Sequence, residues 1–113
     1  MTLTIDDGAV LHTLINTFVV APERQAAVVA SLREFTEHHA RAMPGFVGAS
    51  VHASLDGGRV INYVQWETAA DLAAMLGTPE ARAHMAEVGA LAQSVTPVPY
   101  RVAYVGSQAR ARR

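Results

Sequence analysis

The sequence predicts an α+β fold in which helices cover one face of a four-stranded antiparallel sheet. Three observations point to this class: four runs of strand-forming residues, helical stretches between them, and an Asp-Gly-Gly turn that joins the middle two runs. The chain has 113 residues, of which 50% are hydrophobic and 17% are charged. This length and composition are typical of one folded domain.

The first strand and the first helix are predicted within residues 11–42. Residues 11–20 are rich in β-branched and aromatic side chains and therefore predict a buried strand. Pro22 suits the first position of a helix. An apolar stripe at helical spacing follows, made of Val28, Leu32, Phe35 and His39. The Met-Pro-Gly sequence at 43–45 should end this helix, because proline restricts the residue before it and glycine permits a turn.

A β-hairpin is predicted in the middle of the chain. Two strand-like runs, 46–55 and 59–67, flank the Asp-Gly-Gly turn. We favour a three-residue loop because Asp56 then starts the turn, and this loop places His52 directly opposite Asn62. A two-residue loop would instead pair His52 with Tyr63, on the other face of the hairpin.

Two short helices and a last strand are predicted for the remainder. Thr68 begins a sequence that resembles a capping box, and Thr78 can cap a second helix that starts at Pro79. We expect the apolar stripe of that helix to extend to Val95. An edge strand should follow, because prolines accompany its alternating apolar residues, which are Val98, Tyr100, Val102 and Tyr104.

The resulting order, βαββαβ, is that of the ferredoxin-like plait, whose helices cover only one face of the sheet. Neither face of the predicted third strand is hydrophilic. We therefore expect the helix-free face to pack against a second copy in a homodimer. The domain is placed at residues 10–105, with residues 1–9 and the arginine-rich residues 106–113 as flexible ends.

Composition excludes several classes of function. The absence of cysteine excludes disulfides, thiolate nucleophiles, cysteine-ligated zinc and iron–sulfur clusters. The basic residues cluster only in the last four positions, so binding to nucleic acid is not expected. No apolar run is long enough to span a bilayer, and the acidic start lacks the charged region of a signal peptide. We therefore expect a cytoplasmic protein without a membrane partner.

Polar side chains within the predicted strands indicate a candidate site, since a buried amide or imidazole is costly without a hydrogen bond. Both asparagines, Asn16 and Asn62, lie mid-strand, and Trp66 shares a face with Asn62. With the three-residue loop, His52 joins them. The same face then carries small residues that leave space for an apolar pocket, namely Gly48 and Ser50. In the alternative interpretation, Trp66 belongs to the core, Asn62 bonds a helix end and His52 is half exposed.

The helices offer two further candidates. Arg82 could enter the pocket as an anion clamp or remain solvated, and His84 lies beside an apolar stripe, where a histidine can also serve the core. No pair of histidines has the spacing of a helical zinc site, and no glycine-rich phosphate loop is present. No metal or cofactor is therefore predicted.

Two segments resemble the antibiotic biosynthesis monooxygenase family. The first contains Met-Pro-Gly-Phe and ends at His52, and the second contains Asn-Tyr-Val-Gln-Trp within residues 55–67. The resemblance extends over about residues 10–105 and is closest to the cofactor-independent anthrone oxidases. It implies a dimeric α+β barrel. Leu72 stands where that subgroup has a pocket tyrosine, and either Arg82 or His84 could replace the helix arginine of that subgroup.

The resemblance implies a monooxygenase that oxidises an anthrone or a phenolic polycycle of polyketide type to a quinone with O₂, without flavin, haem or metal. Deprotonation would yield an enolate that passes an electron to dioxygen, and the resulting peroxide would lose water. Trp66 would stack on or bond the substrate, Asn62 would stabilise an oxyanion, and His52 would relay a proton. Substrate contacts are predicted for Asn16, Gly48, Ser50, Leu72, Arg82 and His84.

Other activities remain open. One is a quinol monooxygenase of general metabolism, and another is a non-catalytic dimeric barrel that binds a small hydrophobic ligand. Haem-degrading relatives pair a first-strand asparagine with a helical tryptophan and histidine. Asn16 and His84 match part of that pattern, but residues 72–76 contain no tryptophan.

Overall fold

The predicted order of elements is confirmed in the structure, a computed structural model that describes residues 3–6, 10–107 and 109. The strands are β1 (His12–Val19), β2 (Phe46–Ala53), β3 (Arg59–Trp66) and β4 (Ser94–Tyr100), and the helices are α1 (Gln25–His38), α2 (Ala69–Leu76) and α3 (Pro79–Leu91). The strands form one antiparallel sheet in the order β2-β3-β1-β4. The chain therefore has the ferredoxin-like α+β fold.

The helices and one face of the sheet enclose the core. One cluster of buried side chains joins β1, β3, α1 and α3 and contains Phe18, Val20, Val28, Leu32, Val60 and Val88. A second cluster joins β3, α2 and α3 and contains Val64, Trp66, Leu72, Met75 and Ala81. Full burial of each larger side chain stabilises the fold by about 1.5–3 kcal/mol.

The predicted helix caps are confirmed. The Thr68 hydroxyl accepts the N–H of Asp71 at 3.0 Å, and the Thr78 hydroxyl accepts the N–H of Ala81 at 3.2 Å. The first helix is shorter than predicted: residues 22–24 and 40–42 form single 3₁₀ turns at its two ends. Thr78 also donates to Met75 O at 2.8 Å and lies 3.1 Å from His39 Nε2, so it joins three helix ends.

The prediction for the last strand is wrong in its bounds. Helix α3 ends at Leu91, and Val95 lies in β4 rather than on the helix. Opposite Phe18 of β1, Val95 packs against the core, and this tertiary pairing outweighs the helical spacing that favoured a longer helix. The edge position is confirmed, because β4 pairs only with β1. Its two prolines, Pro97 and Pro99, stand at alternate positions, so the missing N–H groups fall on one side of the strand.

The favoured hairpin register is also wrong. His52 pairs with Ile61, and Val51 pairs with Asn62. The loop has four residues, 55–58, because the backbone N–H of Ser54 donates to Arg59 O at 3.0 Å.

The side chain of Ser54 explains the longer loop. It donates to Asp56 Oδ1 at 2.8 Å and accepts the N–H of Arg59 at 2.8 Å. Gly58 N–H also donates to Asp56 Oδ1, at 2.9 Å. The Gly58 and Ser54 hydrogen bonds lower the pKa of Asp56, and Gly57 takes the left-handed conformation with φ 83°.

The register decides which face of the sheet each side chain occupies. Three residues of β2, Gly48, Ser50 and His52, lie opposite residues of the helix-free face of β3, which are Gln65, Tyr63 and Ile61. An irregularity between Phe46 and Gly48 separates them from Phe46, which lies opposite Trp66. The prediction that Gly48 and Ser50 leave space beneath a helix is therefore wrong.

The helix-free face is uncharged over the middle of the two central strands, and Arg59 at the start of β3 adds one positive charge at its end. It carries Thr13, Ile15 and Thr17 of β1 beside Ile61, Tyr63 and Gln65 of β3. Part of it is covered by the described N-terminal residues: Gln65 Nε2 donates to Thr4 O at 2.9 Å, and Leu3 lies against Gly48. Of the predicted flexible ends, residues 1, 2, 7–9, 108 and 110–113 lie outside the described residues. Within the described parts, no helix has the length and hydropathy needed to cross a membrane.

The two glycines of the hairpin loop should respond differently to substitution. Gly57→Ala should lower the free energy of unfolding by about 1–2 kcal/mol, because an L-residue is strained at positive φ. A Cβ at this position would also lie 3.2 Å from Pro22 Cβ. Gly58→Ala is the matched control, since its Cβ would meet only Asp56 Oδ1 at 3.5 Å. Urea denaturation of both variants tests this, and equal stabilities would contradict the described turn.

Thr78 offers a second test of the fold. Thr78→Ala should lower the free energy of unfolding by about 1–2 kcal/mol, because the α3 cap and the link to Met75 are lost together. Thr78→Ser retains the hydroxyl and should restore most of the stability. If the alanine variant unfolds at the same urea concentration as the parent chain, the hydroxyl has no capping role.

Candidate active site

An apolar cavity of about 150 Å³ lies between the sheet and the three helices. The sheet contributes Leu14, Asn16, Phe18, Asn62, Val64 and Trp66, and the helices contribute Leu32, Phe35, Leu72, Met75, Ala81 and His84. Exposed apolar residues also line it, namely Leu76, Met85 and Pro97. The space is therefore open to solvent on one side and can admit a hydrophobic ligand.

Two polar groups of β3 lie buried in this apolar surrounding without a partner. Asn62 Oδ1 and Trp66 Nε1 make no hydrogen bond within the described chain, although Trp66 has no exposed surface and Asn62 only 8%. Leaving such a group unpaired costs about 1–3 kcal/mol. The sheet register sets Asn16 directly opposite Asn62, so both asparagines contribute to the cavity wall. One unpaired acceptor and one unpaired donor in a ligand-sized space indicate a binding site.

His84 is the one ionisable side chain among the described residues that line the cavity. Its ring stacks on Phe35, with ring centres 4.2 Å apart and planes 2° from parallel. Nδ1 lies 3.5 Å from the buried Ser31 hydroxyl. Burial lowers the pKa of His84, and the nearby carboxylate of Glu87 opposes that shift. The ring is therefore held neutral near pH 7.

The two helix candidates take different positions. Arg82 is exposed and donates through Nη1 to Gly77 O at 2.8 Å, so its guanidinium binds the end of α2 and does not line the cavity. His84 lines the cavity. Leu72, at the position where the resemblance implies a tyrosine, is buried and forms part of the apolar wall.

The predicted grouping of His52 with Asn62 and Trp66 is wrong. His52 lies on the helix-free face, where its Nε2 is 2.9 Å from the Ser50 hydroxyl, and its side chain is exposed. The four-residue loop is the physical reason, because it shifts β2 by one residue against β3 and so changes the face. Gly48 and Ser50 lie on the same helix-free face as His52 and do not line the cavity, so they are not substrate contacts in this arrangement.

Sequence reasoning missed the helical side chains that complete the site. Ser31 is buried and contacts His84, and Phe35 and Met75 provide apolar walls. Ser31 follows Val28 by three residues on the predicted apolar stripe. A small polar residue on such a stripe could have indicated a buried hydrogen bond, but the sequence did not show which group it would meet.

The described residues contain no cluster of three or more histidine, aspartate or glutamate side chains that could hold a metal ion. The residues that line the cavity carry two amides, an indole, an imidazole and the hydroxyl of Thr36. This set can accept or donate hydrogen bonds and can take up a proton at His84.

Comparisons with known proteins agree with this picture. The family model for antibiotic biosynthesis monooxygenase matches residues 11–87. Tetracenomycin-F1 monooxygenase of Streptomyces glaucescens is 46% identical over 81 residues, which are 72% of each chain. Rv0793 from Mycobacterium tuberculosis superposes with a TM-score of 0.69 at 21% identity, over 90% of this chain and 99% of that one. An anthrone oxidase-like protein superposes with a TM-score of 0.82 at 20% identity, over 88% of this chain and 42% of that one.

Replacing Asn62 should show whether its buried amide oxygen costs stability. Asn62→Leu should raise the free energy of unfolding by about 1–2 kcal/mol, because it removes a buried amide oxygen that has no partner and fills the same space with hydrocarbon. Asn62→Asp is the opposite control and should destabilise the chain, since it would bury a carboxylate. Urea denaturation measures both changes. A less stable leucine variant would show that the amide has a partner that supports the fold.

Proposed function

Since the chain belongs to the antibiotic biosynthesis monooxygenase family and is a monooxygenase, we propose that it oxidises an electron-rich phenolic or anthrone-type polycycle to a quinone. The observation that carries this proposal is the pair of unpaired polar groups, Asn62 Oδ1 and Trp66 Nε1, in an otherwise apolar cavity. A relative named tetracenomycin-F1 monooxygenase supports a role in polyketide tailoring.

The two unpaired groups favour a substrate that has both a hydroxyl and a carbonyl. Asn62 Oδ1 can accept a hydrogen bond from a hydroxyl, and Trp66 Nε1 can donate one to a carbonyl or to the oxyanion that develops from it. Four residues along β3 separate their Cα atoms by about 13 Å, at 3.3 Å per residue. A ligand of two or three fused rings is long enough to reach both side chains.

The size of the cavity agrees with a substrate that is only partly enclosed. A space of about 150 Å³ holds roughly one benzene-sized ring. The remaining rings of a polycycle would extend towards solvent past the exposed apolar residues Leu76, Met85 and Pro97. These side chains would cover the flat faces of the ligand outside the deep part of the cavity.

The proposed reaction balances without an added reductant. A ring CH₂ and O₂ give C=O and H₂O, so the carbon supplies all four electrons that reduce dioxygen. Loss of a proton makes the ring electron-rich enough to pass one electron to O₂. The carbon radical and superoxide then combine into a peroxide, which loses water. The protein has to bind the substrate, move protons and stabilise the oxyanion at Trp66.

We also propose that two copies associate through the helix-free face of the sheet. The exposed or half-buried side chains of this face include Ile15, Ile61, Tyr63 and Val98, and the one charged residue that β1 and β3 carry there is Arg59, at the start of β3. Burial of the uncharged middle of this face against a second copy would remove apolar surface from water.

Oxygen uptake tests the proposed function. The purified chain should consume one O₂ per quinone formed from a hydroxylated anthrone without added flavin or metal, and should be much slower with a single-ring quinol. Trp66→Phe should lower kcat/KM about 10- to 100-fold, because one hydrogen bond to the oxyanion is lost. Glu67→Gln, at the exposed next residue, is the control. Binding of the anthrone without oxygen uptake would identify a ligand-binding protein instead.

A further inference from the structure

We infer that His84 is the base that removes the substrate's hydroxyl proton and returns it to the peroxide. This inference rests on the proposed function and adds the group that moves the proton. His84 is the one ionisable side chain among the described residues that line the cavity. A phenol or the enol form of an anthrone must lose a proton before it can pass an electron to dioxygen, so the cavity needs an acceptor for that proton.

The contacts of the ring define which nitrogen can act. Phe35 stacks on one face of the imidazole at 4.2 Å, and Ser31 Oγ lies 3.5 Å from Nδ1. When Nδ1–H donates to Ser31, the lone pair is left on Nε2, which makes Nε2 the proton acceptor. Ser31 is thus a positioning residue, since it selects the tautomer and does not itself contact the substrate.

The charges around His84 keep it in the form that accepts a proton. Glu87, on the same helix, is the charged group whose field acts on the ring. Helix α1 presents Ser31 and Phe35 to it, and the strands place no ionisable side chain in the cavity. Burial is the larger effect and lowers the pKa of His84 below its ordinary value. The imidazole is consequently neutral at pH 7, and Glu87 helps to stabilise the charged form once a proton arrives.

Other side chains that could move a proton are engaged elsewhere. His52 faces away from the cavity, and Arg82 donates to Gly77 O. His39 lies 3.1 Å from the Thr78 hydroxyl at the helix ends and does not line the cavity. Leu72, where the resemblance implies a tyrosine, has no proton to exchange.

His84 accepts and returns protons through the whole reaction and ends in its starting form. Nε2 of His84 takes the hydroxyl proton and leaves the enolate, which transfers an electron to O₂ and recombines to a carbon-bound peroxide. The imidazolium returns that proton to the terminal peroxide oxygen. His84 then removes the remaining proton from the same carbon, the O–O bond breaks, and hydroxide leaves with that proton as water. The carbon ends as C=O, and the imidazole is neutral again.

Substitution of His84 tests the inference. With a hydroxylated anthrone, His84→Gln should lower kcat about 10²- to 10⁴-fold and change KM little, because glutamine keeps a polar side chain but cannot take the proton. His38→Gln is the control: that histidine lies on α1 with 74% of its side chain exposed. For the parent chain, kcat should fall as the pH drops below about 6.5, because the lowered pKa of His84 delays its protonation to pH values under the ordinary pKa of histidine. The glutamine variant should not show this fall of kcat at low pH.

The readouts distinguish failure of the inference from failure of the proposed function. If the glutamine variant has the kcat of the parent chain and the same fall of kcat at low pH, His84 is not the base. The proposed oxygenase activity would be unaffected by that result. No oxygen uptake by the parent chain with any hydroxylated polycycle would overturn both. If the glutamine variant does not fold, the role of His84 is tested by the pH dependence of kcat in the parent chain and by the Ser31→Ala variant. Ser31→Ala should reduce kcat and shift the ¹⁵N resonances of His84 towards the other tautomer, and no change in either would refute the inference.

Discussion

The antiparallel pairing of β1 with β3 is the constraint on which the site depends. It sets Asn16 directly opposite Asn62 and directs both towards the helices, together with Trp66. Because β1 and β3 are the two central strands, groups on this face are shielded from water once the helices cover them. A shift of one residue in this pairing would place the two asparagines on opposite faces of the sheet and remove one amide from the cavity wall.

The helices supply what the sheet lacks. Helices α1 and α3 bring Phe35 and His84 into parallel contact, and α1 adds the buried Ser31. Thr78 joins the ends of all three helices, so the position of His84 is tied to that of the cavity wall. The site thus combines polar groups that the sheet leaves unpaired with one ionisable ring that burial keeps neutral. Each of these features costs stability, and each suits the binding of a ligand that completes the missing hydrogen bonds.

The two faces of the sheet have separate chemistry. The helix side holds the cavity, whereas the other side is uncharged over the middle of the central strands and carries the Ser50–His52 contact. His52 is therefore close to Asn62 along the hairpin but separated from it by the thickness of the sheet. This separation explains why the histidine that lines the cavity is His84 of α3 and not His52 of β2.

The sequence by itself determined the order of elements, the caps at Thr68 and Thr78, and the alternation that gives Asn62 and Trp66 one face of β3. These features depend on local spacing, which a single chain displays directly. Only the tertiary structure decided the loop length at Ser54, the end of α3, and the choice of His84 over Arg82. Each of these depends on a hydrogen bond or a contact between distant segments: Ser54 with Arg59, Val95 with Phe18, and His84 with Phe35. A one-residue change in loop length alters no local pattern, yet it reverses the face of every side chain on the strand.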